Sequence, residues 1–201
     1  MPELKNKANF KIIQRVSLTL FFCLLTSLAF AASPSVGTIS PSFGSSQPNI
    51  AVNFTITYTD PDGWQNIATA RLIVNTIING YTGPYLRYDQ NTNKLYLAKE
   101  NDTNEATRWL GGFTPGSANT IENAYIKLNC ASTTVSGSGN TLTIKWSIAF
   151  KSAFVSTQVR NTYLFVSDDT GASNGWIQKG TWLIGPNSSP SVGIISPSSG
   201  S

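Results

Sequence analysis

The chain predicts an all-β fold in which two antiparallel sheets stack face to face, and three observations carry that prediction. Apolar and polar residues alternate with a period of two along most of the apolar segments. Turn residues interrupt the alternation roughly every 8–15 residues, as in a domain of many short strands. No stretch of about ten residues or more keeps the 3.6-residue period of a helix. Composition agrees: 40% of the 201 residues are apolar and only 12% are charged, well below the ~25% usual for soluble domains, so Glu/Lys-faced helical bundles are disfavoured.

The first element differs from the rest. Lys5, Lys7, Lys11 and Arg15 precede an apolar run, Val16 to Phe30, that ends in Ala29-Phe30-Ala31. A basic opening, a short apolar stretch and a small-x-small site are the parts of a secretory signal peptide. A helical signal segment over 1–31 is therefore expected, with cleavage after Ala31 and Cys23 discarded with it. The apolar run is shorter than the ~20 residues that span a bilayer. The mature chain is expected to be secreted or held at the cell surface, with no membrane insertion after cleavage. Its charge is nearly balanced, because most of the net +4 belongs to the leader and no basic cluster follows Ala32. That excludes a nucleic-acid partner recognised by an electropositive face.

From Ala32 onward Cys130 is the only cysteine, so the module is not built on a disulfide framework. Cys130 reads as a small buried hydrophobe in a strand, with a bridge to another chain as the alternative. The chain has no histidine, which excludes Ser-His-Asp and Cys-His catalysis and every His-ligated metal site.

The strands follow in order. The motif Ser33 to Ser45, SPSVGTISPSFGS, leads into an edge strand, where proline is tolerated. Ile50, Val52, Phe54, Ile56 and Tyr58 share one face of the next strand, opposed by Asn53, Thr55 and Thr57. Further strands are expected at 67–77, 85–89, 94–98, 107–110, 121–129, 161–167 and 175–184. Leu142, Ile144, Trp146, Ile148 and Phe150 form the core face of another, with Trp146 as the central tryptophan. Turns are expected at Asp62-Gly63, Asn79-Gly80, Gly137-Ser138-Gly139-Asn140 and Gly171-Ala172-Ser173-Asn174-Gly175. About nine short strands of this kind predict a two-sheet antiparallel sandwich of immunoglobulin or fibronectin type III kind.

The chain also repeats itself. Ser189 to Ser201 reads SPSVGIISPSSGS and matches Ser33 to Ser45 at 11 of 13 positions, offset by 156 residues. A period that long implies a complete domain per repeat rather than a solenoid. The expected organisation is a signal peptide at 1–31, a sandwich module at 33–186, and a linker plus the first strand of a second module at 187–201. Further sequence is expected beyond Ser201.

Val52-Asn53-Phe54 through Asp60-Pro61-Asp62-Gly63, NTNKLYL at Asn91 to Leu97, VSGSGNTL at Val135 to Leu142 and GASNGWIQKGTW at Gly171 to Trp182 resemble a repeat module of large bacterial extracellular proteins. Those proteins string immunoglobulin-like or fibronectin-like sandwiches together. The resemblance covers most of 33–186 and its motifs are structural turns. It implies a non-catalytic structural or adhesive role, with neighbouring modules of the same chain as partners. Modules of that kind often carry a cysteine pair; Cys130 resembles the second member, but Gly80 to Tyr85, where the first would fall, holds none.

Two sets of side chains are candidates for binding. Asp60 and Asp62 follow one strand and Asp168 and Asp169 another, and loops after such strands share one end of a sandwich. Four carboxylates with loop carbonyls would supply the roughly 6–8 oxygens that calcium takes. Asp-Pro-Asp-Gly is equally a β-turn sequence, so plain turns are the alternative. Trp64, Tyr85 and Trp176, with Tyr81 and Tyr88, are placed in or beside loops, where aromatic rings stack on sugars or cap the sandwich ends. A surface glycan or protein is thus a further expected partner, and a carbohydrate-binding module or an accessory domain of a larger extracellular enzyme is the alternative function. No nucleophile has an activating neighbour, and no Gly-x-Ser-x-Gly elbow or phosphate loop is present, so the chain is expected not to be an enzyme and to need no cofactor unless calcium binds.

Overall fold

Side chains that alternate in and out of a core close here into two antiparallel layers. The protein is described by a computed structural model over residues 32–185. The expected signal segment, with Cys23 and the cleavage site, and the second copy of the Ser/Pro motif lie outside the described residues. In chain order the strands are β1 (Ser35–Ser40), β2 (Phe43–Ser46), β3 (Ala51–Thr59), β4 (Ile67–Asn75), β5 (Tyr85–Asp89), β6 (Lys94–Ala98) and β7 (Trp109–Phe113). They continue as β8 (Thr120–Glu122), β9 (Ile126–Asn129), β10 (Thr134–Ser138), β11 (Thr141–Phe150), β12 (Arg160–Asp168) and β13 (Ser173–Ile184).

The first sheet has the order β1-β3-β11-β9-β8, with β10 also on β11; the second runs β2-β13-β12-β4-β5-β6-β7. Every pair is antiparallel except β2 on β13, which is parallel. In the first sheet, Ile144 lies opposite Ile56 and Trp146 opposite Phe54. Phe54, Ile56, Tyr58, Leu142, Ile144, Trp146 and Phe150 are fully buried, as their period-two parity predicts. The second sheet faces them with Leu72, Val74, Leu86, Leu95, Leu97, Leu164 and Val166. Phe54 and Trp182 join the layers edge to face at 5.0 Å between ring centroids.

The strands exceed the expected nine for local reasons. The predicted edge strand becomes two, β1 and β2, one on each sheet. The predicted 121–129 strand breaks at buried Asn123, whose Oδ1 accepts from the amides of Tyr125 and Ile126 while its Nδ2 donates to Ala98 O. The predicted turn at 137–140 shrinks to Gly139-Asn140, since β10 pairs through Ser138 opposite Thr141. Gly139 has φ 55°, the positive value that glycine supplies in tight hairpins. Ile50 precedes β3 rather than sharing its core face, and it is 56% exposed.

The chain crosses the sandwich from pole to pole. At the N-terminal pole Ser35 pairs with Thr59 and the Ala32 amide donates to the Asp62 carboxylate at 2.8 Å. At the C-terminal pole β13 ends beside β2, and the Gly185 amide donates to Ser46 O. The nine residues of β3 separate the two poles by about 30 Å.

Candidate functional site

The acidic turns meet at the N-terminal pole, each carboxylate engaged by its own surroundings. Asp60 is buried, with Oδ1 accepting from the Asp62 amide at 2.8 Å and Oδ2 from Asn66 Nδ2 at 3.1 Å. Asp168 is also buried; its Oδ1 accepts from the amides of Thr170 and Ala172 and from the Thr170 hydroxyl, while Oδ2 has no hydrogen-bond partner. Asp169 donates its amide to Asn66 O and accepts from Asn91 Nδ2. The two loops therefore touch through Asn66. Among the described residues, no three acidic or cysteine side chains are grouped so as to hold a metal ion. Asp60 and Asp168 brace turns, as their preference for such positions would have them do.

The aromatic candidates divide between two places. Trp64 opens a short 3-10 turn, Trp64–Asn66, and lies half-buried against the core. Its ring covers Gly137 of β10 so closely that a Cβ there would overlap it. With Tyr88, Gln90, Asn93, Pro115 and Ser136 it lines a cavity of about 360 Å³. Tyr88 is not a loop residue: it lies on the inner face of β5 and donates to Asn93 Oδ1 at 3.0 Å.

Tyr85 and Trp176 are likewise strand residues rather than loop aromatics, and both stand on the outer face of the second sheet. Strand register builds that face. Phe165, Arg71, Arg87 and Tyr96 lie opposite one another across β12, β4, β5 and β6. Beside this row, Tyr163 opposes Ile73 and Ile73 opposes Tyr85. The Tyr85 ring meets Trp109 at 4.9 Å and Trp176 at 5.5 Å, both edge to face, and Trp176 meets Phe165 at 5.3 Å.

Guanidinium groups fill the spaces between the rings. Arg71 lies 5.1 Å over Phe165 and donates to Tyr85 Oη at 2.7 Å; Arg87 lies 5.4 Å over both Tyr96 and Trp109. Arg71 and Arg87 are direct cross-strand neighbours, an unfavourable like-charge pair unless compensated. Asp89 holds Arg87 at 2.5 Å. The 99–108 loop folds back to bring Glu105 to 3.6 Å from Arg71 and 3.5 Å from Arg108. Burial pushes the Tyr85 phenol above its ordinary pKa, partly offset by the Arg71 charge and hydrogen bond. The phenol therefore stays protonated at neutral pH. Trp109, Trp176, Tyr96 and Phe165 remain half-exposed, so the face offers apolar ring surface flanked by charged donors and one exposed acid.

Sequence reasoning identified Tyr85 and Trp176 but missed Trp109, Tyr96, Arg71 and Arg87. The available signal was the parity of β5 and β6, whose alternate positions carry Tyr, Arg and Tyr instead of small polar residues. Cys130 is fully buried and unbridged, and burial raises its thiol pKa, so it behaves as a core residue.

No family model and no curated protein matches the chain. One solved chain, described as "AvmM Catalyzes Macrocyclization in Alchivemycin A Biosynthesis", is similar at 8% identity over 78% of this chain and 90% of that one, with a TM-score of 0.37. A likeness that low carries no argument about fold or chemistry.

Proposed function

We propose that the chain is a non-catalytic, secreted or cell-surface structural module with immunoglobulin-like topology, one unit of a tandem series serving as stalk, spacer or adhesive segment. Its strand order supports the topology: β1-β3-β11-β9 follows the A-B-E-D order, and β13-β12-β4-β5-β6 follows the G-F-C sheet with two added strands. The basic and apolar leader with its Ala-Phe-Ala site supports export. The observation that carries the reading is the pole-to-pole path. The described chain begins at one end of the sandwich and reaches Gly185 at the other, and the Ser/Pro motif restarts at Ser189. Modules so connected add end to end, and each lengthens the series. Sequencing the reading frame past Ser201 is the direct test: further copies at the same spacing are expected, and an unrelated continuation would sink the series.

Carbohydrate binding is the second reading, and the outer aromatic–arginine face favours it. Half-exposed rings offer flat apolar surface to the C–H face of a sugar, while Arg71, Arg87 and Glu105 supply donors and an acceptor for hydroxyls. Under this reading, a pull-down of the mature chain on insoluble polysaccharides retains it, and Trp176→Ala abolishes retention without lowering the melting midpoint by more than a few degrees. If the folded wild type is retained on none of them, the structural role stands alone.

A further inference from the structure

Three guanidinium groups share the outer face of the second sheet with two carboxylates. Among the described residues, Asp89 is the ion-pair partner of Arg87, while Glu105 serves both Arg71 and Arg108. Three positive charges thus face two negative ones, and the shortfall falls on the pair that shares Glu105.

Glu105 fits that place loosely. Its Oε1 is 3.6 Å from Arg71 Nη1 and accepts from Trp109 Nε1 at 3.2 Å, and its Oε2 is 3.5 Å from Arg108 Nε. Both guanidinium contacts exceed the ~2.7–2.9 Å of a good charge-assisted hydrogen bond. Arg108 Nε is buried with no hydrogen-bond partner among the described residues, in a side chain that is 9% exposed. A charged donor left buried and unmet is costly, so an acceptor that closes the gap is favoured. The acid itself is easily spared. Its side chain is 54% exposed on a run, 103–107, in which every residue is exposed, and an ion pair with so exposed a partner contributes little. Turning Glu105 out to water frees three donors that already converge on one carboxylate.

Aromatic rings wall the same spot. Tyr85 is almost fully buried and meets Trp109 on one side and Trp176 on the other, both of which remain half-exposed. A ligand there finds flat apolar surface beside a set of donors matched to a carboxylate. A neutral sugar uses only the rings, and an acidic peptide only the donors. A sugar ring that carries its own carboxylate uses both.

We propose that the outer face of the second sheet takes an acidic glycan, a uronic acid carboxylate displacing Glu105 from Arg71, Arg108 and Trp109. The proposal rests on the carbohydrate-binding reading of this face and names the class of sugar. Glu105 is then a stand-in that holds the donors together until the ligand replaces it.

Isothermal titration of the full chain tests this with short oligomers of galacturonate, glucuronate and mannuronate, their neutral counterparts, and a glutamate peptide of equal length. At least one uronate oligomer is expected to bind about tenfold more tightly than its neutral counterpart and than the peptide, and to weaken as salt rises. Glu105→Gln removes the competing charge and should tighten uronate binding about two- to fivefold, with neutral sugars unaffected and the melting midpoint within a few degrees. Trp109→Phe keeps a ring but loses Nε1, and should weaken uronate binding more than neutral binding.

Equal affinity for uronate and neutral oligomers, or a Glu105→Gln chain that binds uronate no better than the wild type, would overturn the proposal and leave the carbohydrate reading intact. Glutamate peptide binding as tight as uronate would overturn it in favour of charge alone. Binding of no sugar by the folded chain would remove the carbohydrate reading and the proposal with it.

Discussion

Trp146→Ala is expected to cost about 3–5 kcal/mol in unfolding free energy, measured as a fall in the urea midpoint at unchanged slope. Trp146 is fully buried at the middle of β11, directly opposite Phe54, and Phe54 in turn abuts Trp182 of the other sheet. Truncation therefore removes the largest side chain of the core and leaves a void between two layers held apart by their other residues. Both strands are long and paired on each side, so the backbone has little freedom to collapse into the void. Against a total of about 5–15 kcal/mol, that loss leaves a marginal fold. Phe43→Ala is the matched control: this ring is 77% exposed, and its loss is expected to shift stability by less than about 0.5 kcal/mol. A loss under about 1 kcal/mol for Trp146→Ala would mean that the sheets do not depend on this contact.

That central position could be read before any coordinates, because β3 and β11 alternate strictly and period two assigns each residue to a face. β5 and β6 were legible to the residue for the same reason. The failures lie where a side chain, rather than the alternation, decides the backbone. Asn123 breaks 121–129 through two amide bonds that no periodicity records. Gly137 and Ser138 look like turn residues but are held extended by pairing to Leu142 and Thr141. The outer aromatic face was partly legible. Tyr85 and Trp176 were visible as aromatics beside turn signals, yet their meeting depends on the registers of β12 on β13 and β4 on β5. Glu105 reaches Arg71 only because the 99–108 loop folds back across the sheet, and no local pattern announces that path. Compensation of Arg71 is therefore a tertiary property, whereas Arg87 is held by Asp89 of its own strand.

Asp168→Ala is expected to lower stability by about 2–3 kcal/mol, and by the same amount in calcium and in chelator. The carboxylate sits at the end of β12, 3% exposed, and one of its oxygens takes three hydrogen bonds from the turn that leads to β13. Alanine leaves the Thr170 and Ala172 amides without that acceptor and frees the turn that joins β12 to β13. Water reaches exposed Thr170, which keeps the cost below that of a wholly buried network. Asp168→Asn retains one acceptor oxygen and should lose roughly 1 kcal/mol. Asp62→Ala, at an exposed position, should change little, within about 0.5 kcal/mol. The comparison separates two roles for one carboxylate. A turn brace acts with or without a cation, whereas a ligand contributes only when the cation is bound, in proportion to its occupancy. Equal urea midpoint shifts in both buffers would establish Asp168 as a brace. A loss confined to the calcium buffer would show that its unpartnered Oδ2 takes up the ion, with Asp60 as the nearest buried carboxylate across Asn66 to examine next.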